Sequence, residues 1–237
     1  FRFDASAGDT FYLDYIDGSA GSGRWKIVDE FGQLAGNVTY IRQDVQSVTL
    51  QSHGRHYLIL DPAIQDTAAS THRFRLVPLT GLEVPIPLGE TMSGTIALPG
   101  QVVRHTFSLD DPGRIYVDIL SPANGNWAWT LTGPRGQVAS RNFTQFDGPE
   151  NGLAPLFDLP AGDYVLAVEP RNGATGDYSL AILDAGQATP ITIGTSQSDQ
   201  LAPGSETKIY SFHAEAGERF FFDVITGDGQ TGWRLID

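Results

Sequence analysis

Ser52, His53 and His56 crowd into one short stretch of the chain. A hydroxyl beside an imidazole is the minimal pairing for nucleophilic hydrolysis. The remaining histidines stand far off, at 72, 105 and 213. No serine sits in a Gly-x-Ser-x-Gly elbow, and no phosphate loop of the Gly-x₄-Gly-Lys type is present. His53-x-x-His56 lacks a third ligand at zinc spacing. These histidines therefore read as solvated loop residues, and the chain reads as a non-enzyme.

Oxygen ligands offer a second chemistry. Asp17-Gly18, Asn124-Gly125 and Asp228-Gly229 recur in step, each a few residues after a strand-end acid, Asp14, Asp118 and Asp223. A further acidic loop covers residues 147–151. Calcium takes about six to eight oxygens from such side chains and carbonyls. These six residues are thus candidate calcium ligands, and no other cofactor is expected. Hairpin turns compete for the same signal, because Asx-Gly is also favoured turn chemistry. Trp127 is a candidate ligand-binding aromatic, since the matching positions in the other copies hold Gly23 and Thr231. It also shares a strand face with Trp129 and Leu131, which favours burial.

The elements that must position these residues repeat. Trp25, Trp129 and Trp233 are separated by 129 − 25 = 104 and 233 − 129 = 104 residues. Around them recur Trp-Lys-Ile-Val-Asp, Trp-Thr-Leu-Thr-Gly and Trp-Arg-Leu-Ile-Asp. Upstream, Phe3/Gly8, Phe107/Gly113 and Phe212/Gly217 keep the same step. A fixed period with matched landmarks means copies of one unit. The division expected is residues 1–81 (a repeat without its opening strand), residues 82–185 (a complete repeat) and residues 186–237 (the first half of a third). Trp25, Trp129, Trp233, Phe107, Phe212 and Tyr164 are expected as core anchors.

Within the middle copy, Val103, His105, Phe107 and Leu109 alternate at strand period, as do Trp127, Trp129 and Leu131. Pro-Gly, Asp-Pro-Gly and Gly-Pro-Arg-Gly turns separate such runs. No 3.6-residue apolar period persists along the chain. The fold expected is all-β, as tandem β-sandwich, jelly-roll-like domains of about 104 residues.

Composition narrows the partners. With 27 Gly, 14 Pro and no Cys, the chain has many turns and no disulfide framework. A net charge of −13 opposes phosphate neutralisation, so nucleic acid is excluded as a partner. No apolar run reaches the ~18 residues of a membrane-spanning helix, and membrane insertion is not expected. The expected partners are other copies of the same repeat or chain, met head to tail. Two lysines against 13 arginines hint at a GC-rich bacterial genome.

Several of these stretches resemble the bacterial pre-peptidase C-terminal domain. The matching segments are Pro85-Ile-Pro-Leu-Gly89, Leu98-Pro-Gly100, His105-Thr-Phe107, Gly133-Pro-Arg-Gly136, Pro160-Ala-Gly-Asp-Tyr164 through Val168, and Gly176-Asp-Tyr-Ser-Leu180. The likeness covers the middle copy and parts of its neighbours. Trp129 departs from it, where the family often has a smaller apolar residue, as does a longer acidic loop at 141–153. The resemblance implies a secreted or surface-located accessory module, found after peptidase domains and in tandem in large surface proteins. It does not imply proteolysis.

Overall fold

Alternating apolar and polar residues, broken every few positions by Gly, Pro or Asx turns, leave the chain few options other than short strands. The computed structural model describes residues 1–19, 22–35, 39–79, 81–143, 156–227 and 232–236. In residues 1–79 the strands are β1 (Arg2–Ala5), β2 (Thr10–Gly18), β3 (Gly23–Asp29), β4 (Thr39–Tyr40), β5 (Val45–Thr49), β6 (Gly54–Pro62) and β7 (His72–Pro78). Next come β8 (Leu82–Pro85), β9 (Thr91–Ile96), β10 (Val103–Leu109), β11 (Gly113–Ser121), β12 (Trp127–Gly133) and β13 (Gly136–Asn142). They are followed by β14 (Phe157–Leu159), β15 (Gly162–Pro170) and β16 (Gly176–Asp184). Two short strands close the series, β17 (Thr189–Pro190) and β18 (Tyr210–Ser211). Among the described residues no helix is long and apolar enough to cross a membrane.

The protein is all-β, and its first two units are built alike. Sheet β1-β6-β3-β4 faces sheet β5-β2-β7 in the first. Sheet β13-β12-β15-β10-β8 faces β14-β11-β16-β9 in the second. Strand for strand, β10-β15-β12-β13 repeats β1-β6-β3-β4, and β14-β11-β16 repeats β5-β2-β7. The second unit adds β8 and β9 at its edges. The register repeats too: Trp25 pairs with Leu60 and Trp129 with Val168. The third unit opens with the parallel pairing of the second, Thr189 against Tyr210 where Val84 lies against His105.

Two apolar cores lie between the paired sheets. One gathers Leu13, Trp25, Ile27, Val48 and Leu58, and the other Phe107, Ile115, Trp129, Leu131, Tyr164, Leu166 and Leu180. Trp25 and Trp129 are each 1% exposed, whereas Trp233, expected in the same setting, is 62% exposed. The described residues of the third unit supply no opposing sheet. Trp233 has instead the Phe222 ring, 4.8 Å away between centroids. Phe212, likewise expected as a core anchor, is half-buried against Phe220 and Phe222. Phe107 and Tyr164 are buried and stack on each other, 5.2 Å apart.

Removing a fully buried indole loses its transfer free energy and leaves a cavity. Trp129→Ala should therefore destabilise the second unit by about 3–5 kcal/mol. Trp233→Ala should leave the melting temperature of this chain nearly unchanged, because that indole is mostly in water already. Thermal unfolding of the two variants side by side checks both outcomes.

Candidate functional site

Ser52 and His56 do meet. His56 lies on β6 and is 0% exposed, which corrects the expectation of a solvated loop residue. Its ring stacks on Phe3 at 5.7 Å, as Tyr164 stacks on Phe107. Both residues lie four positions before the partner of the core tryptophan, so they occupy one site in two units. Tyr164 Oη–H donates to the Pro160 carbonyl, four residues upstream, at 2.7 Å. His56 Nε2 meets Ser52 Oγ, also four residues upstream, at 3.3 Å, while Nδ1 meets the Gly54 carbonyl at 3.1 Å. That carbonyl can only accept, so Nδ1 carries the proton in that contact.

The facing strand adapts in turn. Opposite His56 stands Asp29, so the residue types of a Ser-His-Asp set are close in space. Asp29 Oδ1, however, accepts from the backbone N–H groups of Phe31 and Gln33 and pins its own turn. Opposite Tyr164 the chain has Gly133, where a Cβ would come within 2.3 Å of the tyrosine ring. A large ring needs glycine there, and a smaller imidazole tolerates a carboxylate. The Ser52–His56 pair is a half-buried corner clamp that resembles a tyrosine corner.

The other histidines divide by depth. His53 and His213 are exposed, and His72 is half-buried beside Ser70. His105 is buried and crosses the core to Tyr178, with Nε2 2.7 Å from the hydroxyl. This contact ties β10 to β16 and hence one sheet to the other. Gly94 makes room for it, since a Cβ there would lie 2.3 Å from the Tyr178 oxygen. Burial pushes the His105 pKa below the ordinary value, with the Val84 backbone opposing only in part.

Among the described residues the candidate calcium ligands are not gathered. Asp14 pairs with Arg75 and Asp17 with Arg73 across β2 and β7. Asn124 Oδ1 accepts the Asn126 N–H within its own turn. Asp223 is exposed, and Asp228 and the 147–151 loop lie outside the described residues. Among the described residues no group of three or more His, Asp or Glu side chains could hold a metal ion. Trp127, expected as a candidate for ligand binding, is 3% exposed. It packs between Phe143 and Tyr178, with ring centroids 5.9 and 5.8 Å away. Of the matching positions, Gly23 is buried and Thr231 lies outside the described residues.

Asp118 is set apart from these acids. It lies on β11 at 1% exposure, on the face turned away from the core, with Tyr116 and Leu120 buried beside it. The third unit covers that face. The Thr207 N–H donates to Asp118 Oδ2 at 2.9 Å, and Ser205 Oγ–H donates to the Leu120 carbonyl at 3.0 Å. Thr207 Oγ1 reaches the Tyr116 hydroxyl at 3.5 Å. This joint between units is a polar site outside the two cores. No motif reveals it, because the residues it joins lie about ninety positions apart.

No known protein-family profile matches the chain, and no curated protein sequence matches it. Among solved structures it is similar to the pre-peptidase C-terminal domain of collagenase from Bacillus anthracis. That pair shares 21% identity at a TM-score of 0.33, over 44% of this chain and 96% of that one. It is also similar to PliG of Salmonella Typhimurium, a periplasmic inhibitor of g-type lysozyme, at 23% identity and a TM-score of 0.34, over 44% and 99% of the two chains. PliG of Aeromonas hydrophila gives 15% identity and a TM-score of 0.33, over 43% and 94%. A likeness at this level bears on neither substrate nor partner.

The His105–Tyr178 tie has a measurable signature. The folded state binds a proton at His105 less readily than the unfolded chain, whose histidine titrates near ~6.5. Stability is therefore complete above that pH and declines as pH falls below it. Tyr178→Phe should cost about 1–3 kcal/mol by stranding the imidazole. The pair His105→Phe with Tyr178→Phe should restore most of that loss and flatten the decline between pH 7 and 5. Denaturant midpoints at the two pH values test this.

Proposed function

We propose that this chain is a structural, non-catalytic segment of a large extracellular bacterial surface protein. Its repeated sandwiches space and link units into a stalk, fibre or filament. The observation that carries the reading is the joint at Asp118: one unit is held on the next by specific hydrogen bonds, beyond the covalent linker. Repetition of the same strand order and register in the first two units supports it, since like units then share one scaffold. Short connections at 79–82 and 184–189 shorten the free path between units and favour a stiff string. Head-to-tail contact between like units yields filaments unless a rotation closes them.

The resemblance of residues 85–180 to the pre-peptidase C-terminal domain favours a second reading. There the chain is an accessory module of a secreted hydrolase, gripping polysaccharide or matrix protein, with calcium as a stabilising ion. The two readings differ in shape and in ligand.

Small-angle scattering separates them. A compact chain of this length has a radius of gyration of roughly 18 Å. The filament reading expects a clearly larger value and a rod-like cross-section, growing in proportion as complete repeats are added. A compact value, together with sedimentation on insoluble polysaccharide or collagen, would replace it with the accessory module. A rise in melting temperature on passing from chelator to about 10 mM calcium would support the calcium site of that second reading.

A further inference from the structure

Strand β11 is buried on both faces, which is unusual for a strand of a two-sheet domain. Ile115, Val117 and Ile119 point into the core, and Tyr116, Asp118 and Leu120 point away from it. A carboxylate in such a place needs donors for both oxygens. Oδ2 has the Thr207 N–H, whereas Oδ1 is buried and has no partner.

The first unit solves the same position differently. Asp14 on β2 corresponds to Asp118, and the residue paired across from it on β7 is Arg75. Across from Asp118, β16 places Ala181. So the first unit neutralises its acid with an arginine on its own sheet. The second omits the cation and closes the acid under the backbone of the next unit.

The surroundings hold little charge to help. From β11 itself the neighbour is the Tyr116 hydroxyl, and from β16 the facing residues are Ala181 and Leu183. The crossing segment brings Glu206, whose charge opposes ionisation of Asp118. Its one cation, Lys208, is committed to Asp199 at 2.6 Å.

We propose that Asp118 is a proton-operated lock on the joint between the second and third units, closed more tightly in acid and loosened as the carboxylate ionises. Burial is the main cause that raises the Asp118 pKa, opposed by the Thr207 N–H and side chain and reinforced by Glu206. The docked state thus holds the proton more firmly than an undocked one, in which the group titrates near ~3.9. Docking is strongest below that pH and weakens as pH rises through the docked value above it. The lock concerns one joint within one chain and does not depend on filament formation.

Amide hydrogen exchange of Thr207 in the 237-residue chain, corrected for the intrinsic pH dependence of exchange, tests the lock. Protection should rise from pH 7 to pH 4, by up to about tenfold for each unit separating the docked and undocked pKa values. Asp118→Asn keeps an acceptor for Thr207 without the charge, and its protection should be independent of pH. Glu206→Gln, at a half-buried position whose side-chain oxygen accepts the Ala202 N–H, should move the wild-type transition to lower pH without removing it. Circular dichroism confirms that each variant is folded, and if Asp118→Asn is not, the Glu206→Gln shift decides. Protection that is flat in the parent, that falls on acidification, or that keeps its midpoint in Glu206→Gln would overturn the proposal.

Discussion

A β-sheet in water hides one face well, and that face needs a second layer over it. The indoles at the middle of β3 and β12 show what this closure provides. Trp25 and Trp129 are sealed because the β2 and β11 sheets cross over them from the other side. Trp233 has a similar local sequence and no such sheet among the described residues, and it is mostly exposed. The whole architecture follows from this need for a cover. It sets the strand order, the tie from His105 to Tyr178 that holds the two layers together, and the corner clamps that turn the chain from one layer to the other.

Within that frame the side chains exchange roles freely. Tyr164 over Gly133 and His56 beside Asp29 fill one site with different volumes and different hydrogen bonds. Asp14 with Arg75 and Asp118 with Ala181 fill another. The backbone keeps its register in both cases, because register is fixed by which face is buried. What changes is whether a polar group faces water, a partner on its own sheet, or the following unit. Similar units can therefore share a core and still differ in how they connect.

The joint at β11 shows the consequence. A polar face covered by another unit transmits the position of one sandwich to the next, which a flexible linker alone cannot do. Burying a carboxylate there also makes the contact sensitive to protons, since the cost of dehydrating a charge falls away when the group is neutral.

Much of this was legible along the chain. Turn residues and two-residue alternation mark the strands, and the 104-residue step of the tryptophans marks the repetition. Both are local or periodic signals, and backbone geometry imposes them directly. Burial was legible only where the covering layer is encoded by the same unit, as for Trp25 and Trp129. For His56, depth depends on strands distant in sequence, and the local pattern misjudged it; for Trp127 the shared strand face with Trp129 and Leu131 already favoured burial. Asp118 is the clearest case. Its sequence neighbourhood is that of Asp14 and Asp223, a strand-end acid ahead of an Asx-Gly turn. Only the tertiary structure, which removes the facing arginine and lays residues 205–207 across it, turns that acid into a contact between units.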